Sequence, residues 1–234
     1  MRLDKFIACS TELSRSLARK AIKDGRVSVN GSTQVRLNDS VETNDQICLD
    51  DQLLAAPAPR YLMLHKPAGV VSATTDSALP TVIDLLDLPK KEELQVVGRL
   101  DRDTTGLLLI TDDGHWNHRV TSPAHECDKV YCVTTRYDIN PATIERFAEG
   151  VMLDGEKHPT RPALLEIVEP RLGRLTISEG KYHQVKRMFS ATRNRVDGLH
   201  RERVGAIALD PALAPGEYRS LTAAEANSIG QPAS

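Results

Sequence analysis

The sequence predicts an α+β protein: a small N-terminal module followed by a larger domain whose mixed, largely antiparallel sheet is flanked by helices. Three observations predict it. The first sixty of 234 residues read as a basic helix followed by short strands. The stretch Leu53-Leu54-Ala55-Ala56-Pro57-Ala58-Pro59 then breaks the composition with prolines and small residues, as linkers do. Beyond it, short apolar strands alternate with a few helices, without the regular strand–helix–strand spacing of a parallel sheet. The domain boundary falls near residue 58, giving 1–57 and 58–234.

In the N-terminal module, Ser14 is suited to cap a helix on which Leu17, Ala18, Ala21 and Ile22 share one face. Arg15, Arg19 and Lys23 follow at i, i+4, i+8 on another face, with Lys20 beside them, and Gly25 ends the helix. Arg26-Val27-Ser28-Val29 alternates like a strand, Asn30-Gly31 is a tight-hairpin signal, and Asp45 to Leu49 reads as a further strand. In the larger domain, Tyr61 to Leu64 is a strand ending at Lys66-Pro67-Ala68-Gly69. Leu107-Leu108-Leu109-Ile110 is apolar throughout, which marks a central strand. Asn140-Pro141 opens a helix that stops at Gly150. Arg174 to Ser178 alternates, and Val185, Met188 and Phe189 form a helical face after it. Ala206 to Leu209 is a late strand, and Thr222 with Glu225 signals a capping box for a last helix.

Composition narrows the class. A hydrophobic fraction of 40% and a charged fraction of 26% suit an ordinary globular core. The sequence has no apolar run of membrane-spanning length. The N-terminus Met1-Arg2-Leu3-Asp4-Lys5 lacks a secretory pattern, and the four cysteines form no CxxC pair. The expectation is a cytoplasmic protein with reduced thiols. The net charge of −2 hides a polarised distribution. Residues 1–36 carry eight Lys/Arg against three acids, and residues 171–203 carry nine against three. Two basic islands in a near-neutral chain suggest two patches for a polyanion, although each also reads as a solvated face.

The densest polar segment is Gly98-Arg99-Leu100-Asp101-Arg102-Asp103-Thr104-Thr105-Gly106, a turn between apolar strands. Such a turn can hold a reactive group on a rigid scaffold. A guanidinium from Arg99 or Arg102 close to Asp101 would keep the carboxylate charged, fit for a nucleophile or base. Read from chemistry alone, a salt-bridged turn is the commoner outcome.

Together with Leu107, this segment resembles the catalytic motif of the pseudouridine synthases. Lys66-Pro67-Ala68-Gly69 looks like that family's early Lys-Pro-x-Gly turn, and Lys129-Val130-Tyr131 like its Lys-x-Tyr strand. Glu179 to Met188 (EGKYHQVKRM) resembles its later basic motif. The N-terminal module is similar to the small S-four-like RNA-binding fold. His200-Arg201-Glu202-Arg203 and Leu213 to Arg219 point to the branch that acts on small-subunit (16S) ribosomal RNA. In this resemblance Asp101 is the catalytic carboxylate, Tyr131 stacks on the target base and Lys186 is the basic partner of Asp101. Arg99, Lys129, His183, Gln184 and Arg187 fall to substrate binding, and Arg15, Arg19, Lys20 and Lys23 to RNA binding.

The implied enzyme is an isomerase that detaches a uracil, rotates it and rejoins it through carbon, with no cofactor. The implied partner is ribosomal RNA within a small-subunit assembly intermediate, and nothing in the sequence demands more than a monomer. Taken singly, Tyr131 reads as core and Lys186 with Arg187 as a solvated face. Competing readings are a sister enzyme for large-subunit ribosomal RNA and a non-catalytic RNA-binding assembly factor. His115, His118, His125, Cys127 and Cys132 crowd one region, but their spacing is not that of a structural zinc site, so no metal is expected.

Overall fold

A computed structural model describes residues 1–42, 44–122 and 127–229. The chain divides into two compact units, Met1–Pro59 and Arg60–Ser234.

In the first unit, α1 (Leu3–Ser10) and α2 (Arg15–Lys23) pack on a small antiparallel sheet of β1 (Val27–Val29), β2 (Ile47–Leu49) and β3 (Gln52–Leu53). Ser14 caps α2 by accepting from the amide of Leu17. Ala18, Ala21 and Ile22 bury against Leu3, Phe6 and Ile7 of α1, with Val27 and Ile47 beneath them. Leu17, expected on that face, is 51% exposed. It is rotated about 100° from Ala18, off the narrow stripe on which small alanines admit α1. The Asn30-Gly31 turn forms, both residues having positive φ, but only an isolated bridge between Val29 and Ser32 closes it. The lasting partner of β1 is β2, and the tight hairpin joins β2 to β3 through Asp50-Asp51, also at positive φ.

In the second unit, the sheet strands are β4 (Tyr61–Lys66), β5 (Gln95–Val97), β6 (Thr105–Thr111), β7 (Lys129–Thr135), β8 (Leu164–Glu169), β9 (Leu172–Ile177), β10 (Val196–Val204), β11 (Ile207–Ala208) and β12 (Tyr218–Ser220). Their spatial order is β12-β4-β6-β10-β7-β9-β8, with β5 on β6 and β11 on β10. Among these strands only β6 and β10 pair parallel, and the other pairs are antiparallel. The helices are α3 (Gly114–Thr121), α4 (Ala142–Glu149), α5 (Gln184–Ala191) and α6 (Ala223–Ser228). The expected caps are present: Asn140 accepts from the amide of Ala142, and Thr222 with Glu225 completes a capping box. No helix among the described residues is long and apolar enough to cross a membrane.

The apolar run of β6 is central because it serves two cores. Leu108 and Ile110 face one cluster with Val185, Met188 and Phe189 of α5, while Leu107 and Leu109 face another with Trp116 and Val120 of α3. Each fully buried leucine contributes about 1.5–3 kcal/mol of transfer free energy. The pairing of β6 also places the site. Along one edge β4 pairs with β6 for its whole length. On the other edge β10 pairs only with Thr105 and Gly106, and β5 takes over at Leu109 to Thr111. The sheet opens there, and the loop 98–104 lies at the opening. Gly106, with φ at 103°, allows the closest approach: a Cβ would overlap the carbonyl oxygen of Arg201 and sit 2.6 Å from its nitrogen.

Candidate active site

The loop that carries Asp101 is fastened on both sides of it. Ser72 donates to the carbonyl of Leu100 at 2.8 Å and accepts from its amide at 3.1 Å, while the Leu100 side chain is buried in the larger core. After Asp101, the Arg102 carbonyl accepts from the Gly69 amide at 2.8 Å, and the Arg102 guanidinium returns to the Gly69 carbonyl at 3.2 Å. Beneath the loop Lys66 is fully buried and donates to three carbonyls, those of Thr104 at 2.8 Å, Pro67 at 3.0 Å and Arg102 at 3.3 Å. Burial pushes its ammonium down to about 8, against the pull of Asp103 and Asp101. The Lys-Pro-Ala-Gly turn thus acts as the clasp of the Asp101 loop.

The basic side chains that meet Asp101 come from α5 and the turn before it. Lys186 lies 3.0 Å and His183 3.4 Å from the carboxylate, and Lys186 also bonds Asp103 at 2.6 Å. Burial alone would lower Lys186, but its hydrogen bonds to Asp103 and Asp101 raise it. The same bond holds Asp103 below the usual carboxylate range. Arg99 and Arg102, the neighbours considered from sequence, make no ion pair with Asp101 among the described residues; Arg102 serves the loop clasp instead. His183 reaches Asp101 from a left-handed backbone, φ 49°, at the start of α5.

That turn is itself braced. Glu179 accepts from the Arg161 amide and from Gln184, and Gln184 accepts from the amide of Lys181. Arg187 pairs with Glu156 at 3.1 Å and donates to the carbonyls of Tyr182 and Asp154. Gln184 and Arg187, expected to bind substrate, therefore spend these bonds on the scaffold, and Arg187 does not line the pocket.

Asp101 opens on a pocket of about 540 Å³, lined also by Arg99, Lys129, Tyr131, Tyr182, His183, Lys186 and Arg201. Tyr131, on β7, belongs partly to the core and partly to the pocket wall. Tyr182 is 77% exposed at the rim, its ring stacked on His183 with centroids 3.8 Å apart. Sequence reasoning did not single out Tyr182 or Arg201; a large aromatic among polar residues was a signal for the first. Burial pushes the Lys129 ammonium below its ordinary value.

In the first unit, Arg15 and Arg19 both turn onto Asp4, whereas Lys20 and Lys23 are exposed. Of the suspected zinc cluster, His115 and His118 lie on α3, Cys127 and Cys132 are free thiols, and His125 lies outside the described residues. Among the described residues no three His, Cys, Asp or Glu side chains converge on a metal position.

A nucleotide-sized pocket around a carboxylate held by Lys186, in a chain that also carries a small α/β unit with a basic helix, fits the class of enzymes that work on RNA. Residues 60–191 match the family described as RNA pseudouridylate synthase, and residues 1–47 match the S4 domain. The chain belongs to the RNA pseudouridylate synthase family. It is 51% identical over 231 residues, 98% of this chain and 100% of the relative, to the ribosomal small subunit pseudouridine synthase A of Salmonella typhimurium. The protein of that name from Yersinia pestis is 49% identical over 233 residues, covering 99% of each chain. A solved crystal structure described as a pseudouridylate synthase superposes with a TM-score of 0.72 at 46% identity, covering 98% of this chain and 99% of that one.

Proposed function

We propose that this enzyme converts a uridine of small-subunit ribosomal RNA to pseudouridine, with Asp101 as the catalytic carboxylate. The observation that carries the reading is the placement of Asp101: held between two fastened loop residues, met by Lys186 at 3.0 Å, and open to a pocket that Tyr131 walls. The relatives named for the small subunit, alike over nearly the whole chain, support the choice of RNA.

A paired base is beyond reach inside a helix, so the target uridine must be flipped out or met unpaired. Tyr131 and the rim aromatics replace its lost stacking, worth about 1–3 kcal/mol per base. Asp101 either attacks the ribose or removes a proton from it, and Lys186 orients the carboxylate and balances its charge. The bond from N1 to C1′ breaks, the base turns, and C5 bonds to C1′ as the Asp101–ribose bond breaks or Asp101 returns the ribose proton, which frees the carboxylate. The C5 proton leaves, with Tyr131 assisting, and N1 takes one up. No electrons are exchanged with a second substrate, so the reaction calls for no cofactor. The N-terminal unit supplies affinity through Lys20 and Lys23. We assign the reaction to the cytoplasm, on a small-subunit assembly intermediate and by a monomer.

Asp101→Asn should cut pseudouridine formation by more than about 10³-fold while RNA affinity stays within about threefold. Release of the C5 hydrogen from labelled uridine RNA measures the first, and filter binding the second. Normal turnover would remove Asp101 from the mechanism. A pseudouridine map of ribosomal RNA with and without the gene tests the substrate: one small-subunit position should lose its pseudouridine. Loss at a large-subunit position instead would favour the sister-enzyme reading.

A further inference from the structure

Two basic residues of the pocket wall beside Tyr131, Arg201 and Lys129, are used by no step above. Arg201 is 2% exposed and lines the cavity. Its Nε donates to the Leu107 carbonyl at 2.8 Å, while Nη2 is buried without a hydrogen-bond partner. Lys129 lines the same pocket from the adjacent strand. Among the described residues neither has a carboxylate within ion-pairing distance. Lys186 differs, since Asp101 and Asp103 already answer its charge.

Strand register puts these groups in one row. Arg201 of β10 stands directly opposite Tyr131 of β7, and Lys129 is two residues along β7, on the same face. Two residues of strand span about 6.6 Å, of the order of the reach from a stacked base to its own backbone phosphate. A buried guanidinium with a free nitrogen is costly unless a ligand completes its bonding, and two neighbouring cations raise that cost. Phosphate oxygens fit the planar fork of an arginine, and phosphate is the one fixed anion that RNA carries.

We propose that Arg201 and Lys129 form an anion subsite that takes a backbone phosphate flanking the flipped uridine, and so set how far the nucleotide enters. This rests on the reading of Asp101 and Tyr131 as the uridine end of the pocket. The subsite is a positioning device, because neither cation is placed at the reacting atoms.

The test is a cycle of enzyme and substrate changes. Substrate RNA is made with an uncharged methylphosphonate at the linkage 5′ or 3′ to the target uridine. At one linkage the wild-type enzyme should lose about tenfold or more in kcat/KM. For Arg201→Met and Lys129→Met the same swap should cost less than about twofold, because the contact is already gone. Each variant should also make the salt dependence of RNA binding shallower by about 0.7, one phosphate contact on a single strand. If Arg201→Met does not fold, Arg201→Lys and Lys129→Met complete the cycle. Equal losses in wild type and variants, or no loss at either linkage in wild type, would overturn the subsite. A site for free phosphate would be indifferent to the linkage and counts against the proposal in the same way. The natural RNA with wild type and Asp101→Asn is the control: failure there strikes the catalytic reading, whereas additive losses on an active enzyme strike only the subsite.

Discussion

Asp4 in the first unit and Asp101 in the second are both carboxylates gripped by basic side chains from a helix or its approach. Asp4 is fully buried and receives Arg19 at 2.9 Å, Arg2 at 3.1 Å and Arg15 at 3.3 Å. Asp101 receives Lys186 at 3.0 Å and His183 at 3.4 Å, and keeps 27% of its side chain exposed on a pocket. The chemistry of the grip is the same. The difference lies in what remains free. The three guanidiniums around Asp4 occupy both of its oxygens and leave no face for a ligand. A buried, saturated acid is a brace, whereas a half-open acid with a face left on a pocket can meet a substrate.

The comparison breaks first at Asp101. Asp101→Asn should lose more than about 10³-fold in rate yet change unfolding free energy by under about 1 kcal/mol. Denaturant unfolding followed by Trp116 fluorescence checks the second half. A large stability loss there would make Asp101 a brace as well.

Asp4→Asn should do the reverse. It should destabilise the first unit by about 2–3 kcal/mol, below the range for fully buried pairs because the three arginines stay half exposed and water reaches them. The isomerisation rate at saturating RNA should hold. The first unit contains neither Trp nor Tyr, so amide hydrogen exchange is the readout. The pH dependence follows with a defined sign. Burial would raise the Asp4 carboxyl, but Arg19, Arg15 and Arg2 hold it down at about 2, below its ordinary 3.8. Between those values the unfolded chain binds more protons than the folded one. The contribution is therefore fully present above about 3.8 and is lost as pH falls through about 2. Protection of α1 and α2 that starts to fade well above pH 4 would contradict this.

Lys186→Met sharpens the contrast from the cation's side. It should lower kcat by about 10- to 100-fold with little change in KM, and Lys186→Arg should recover part of the loss. A rise in KM alone would make Lys186 an RNA contact rather than the partner of Asp101.

Part of this was legible in the sequence for physical reasons: β6 is apolar at every core position because both of its faces are buried. Asp101, Tyr131 and Lys186 stood out only through the resemblance of their motifs to the family, since taken singly they read as a salt-bridged turn, core and a solvated face. The strand β10 was not legible: Asp197, His200, Arg201, Glu202 and Arg203 make it read as a charged patch, although it pairs with β6, β7 and β11. Arg201 was hidden for the same reason, since a charge buried within a strand has no pattern of its own. The helix α1 had a signal in Leu3, Phe6 and Ile7, but eight residues, about two turns, are too short to stand out. The bonds of Arg187 to Glu156 and to the carbonyls of Tyr182 and Asp154 were not legible, because a basic residue after Lys186 looks alike whether it meets RNA or Glu156.

The four cations of α2 carry the comparison into a single helix. Sequence spacing grouped Arg15, Arg19, Lys20 and Lys23 as one RNA-facing set, but the fold divides them. Arg15 and Arg19 are drawn to Asp4, and Lys20 and Lys23 project into solvent. Replacing Lys20 and Lys23 by Gln should therefore leave hydrogen-exchange protection of the first unit intact and weaken RNA binding mainly at low salt. Each lost phosphate contact makes the slope of log affinity against log salt shallower by about 0.7 to 0.9, so the pair should remove about 1 to 2 units. Replacing Arg15 and Arg19 by Gln should instead act chiefly through stability, with a smaller change in slope, because their charge is already spent on Asp4. Equal slopes for the two double variants would mean that the arginines reach RNA while still holding Asp4, and the division of the helix into brace and contact would fall.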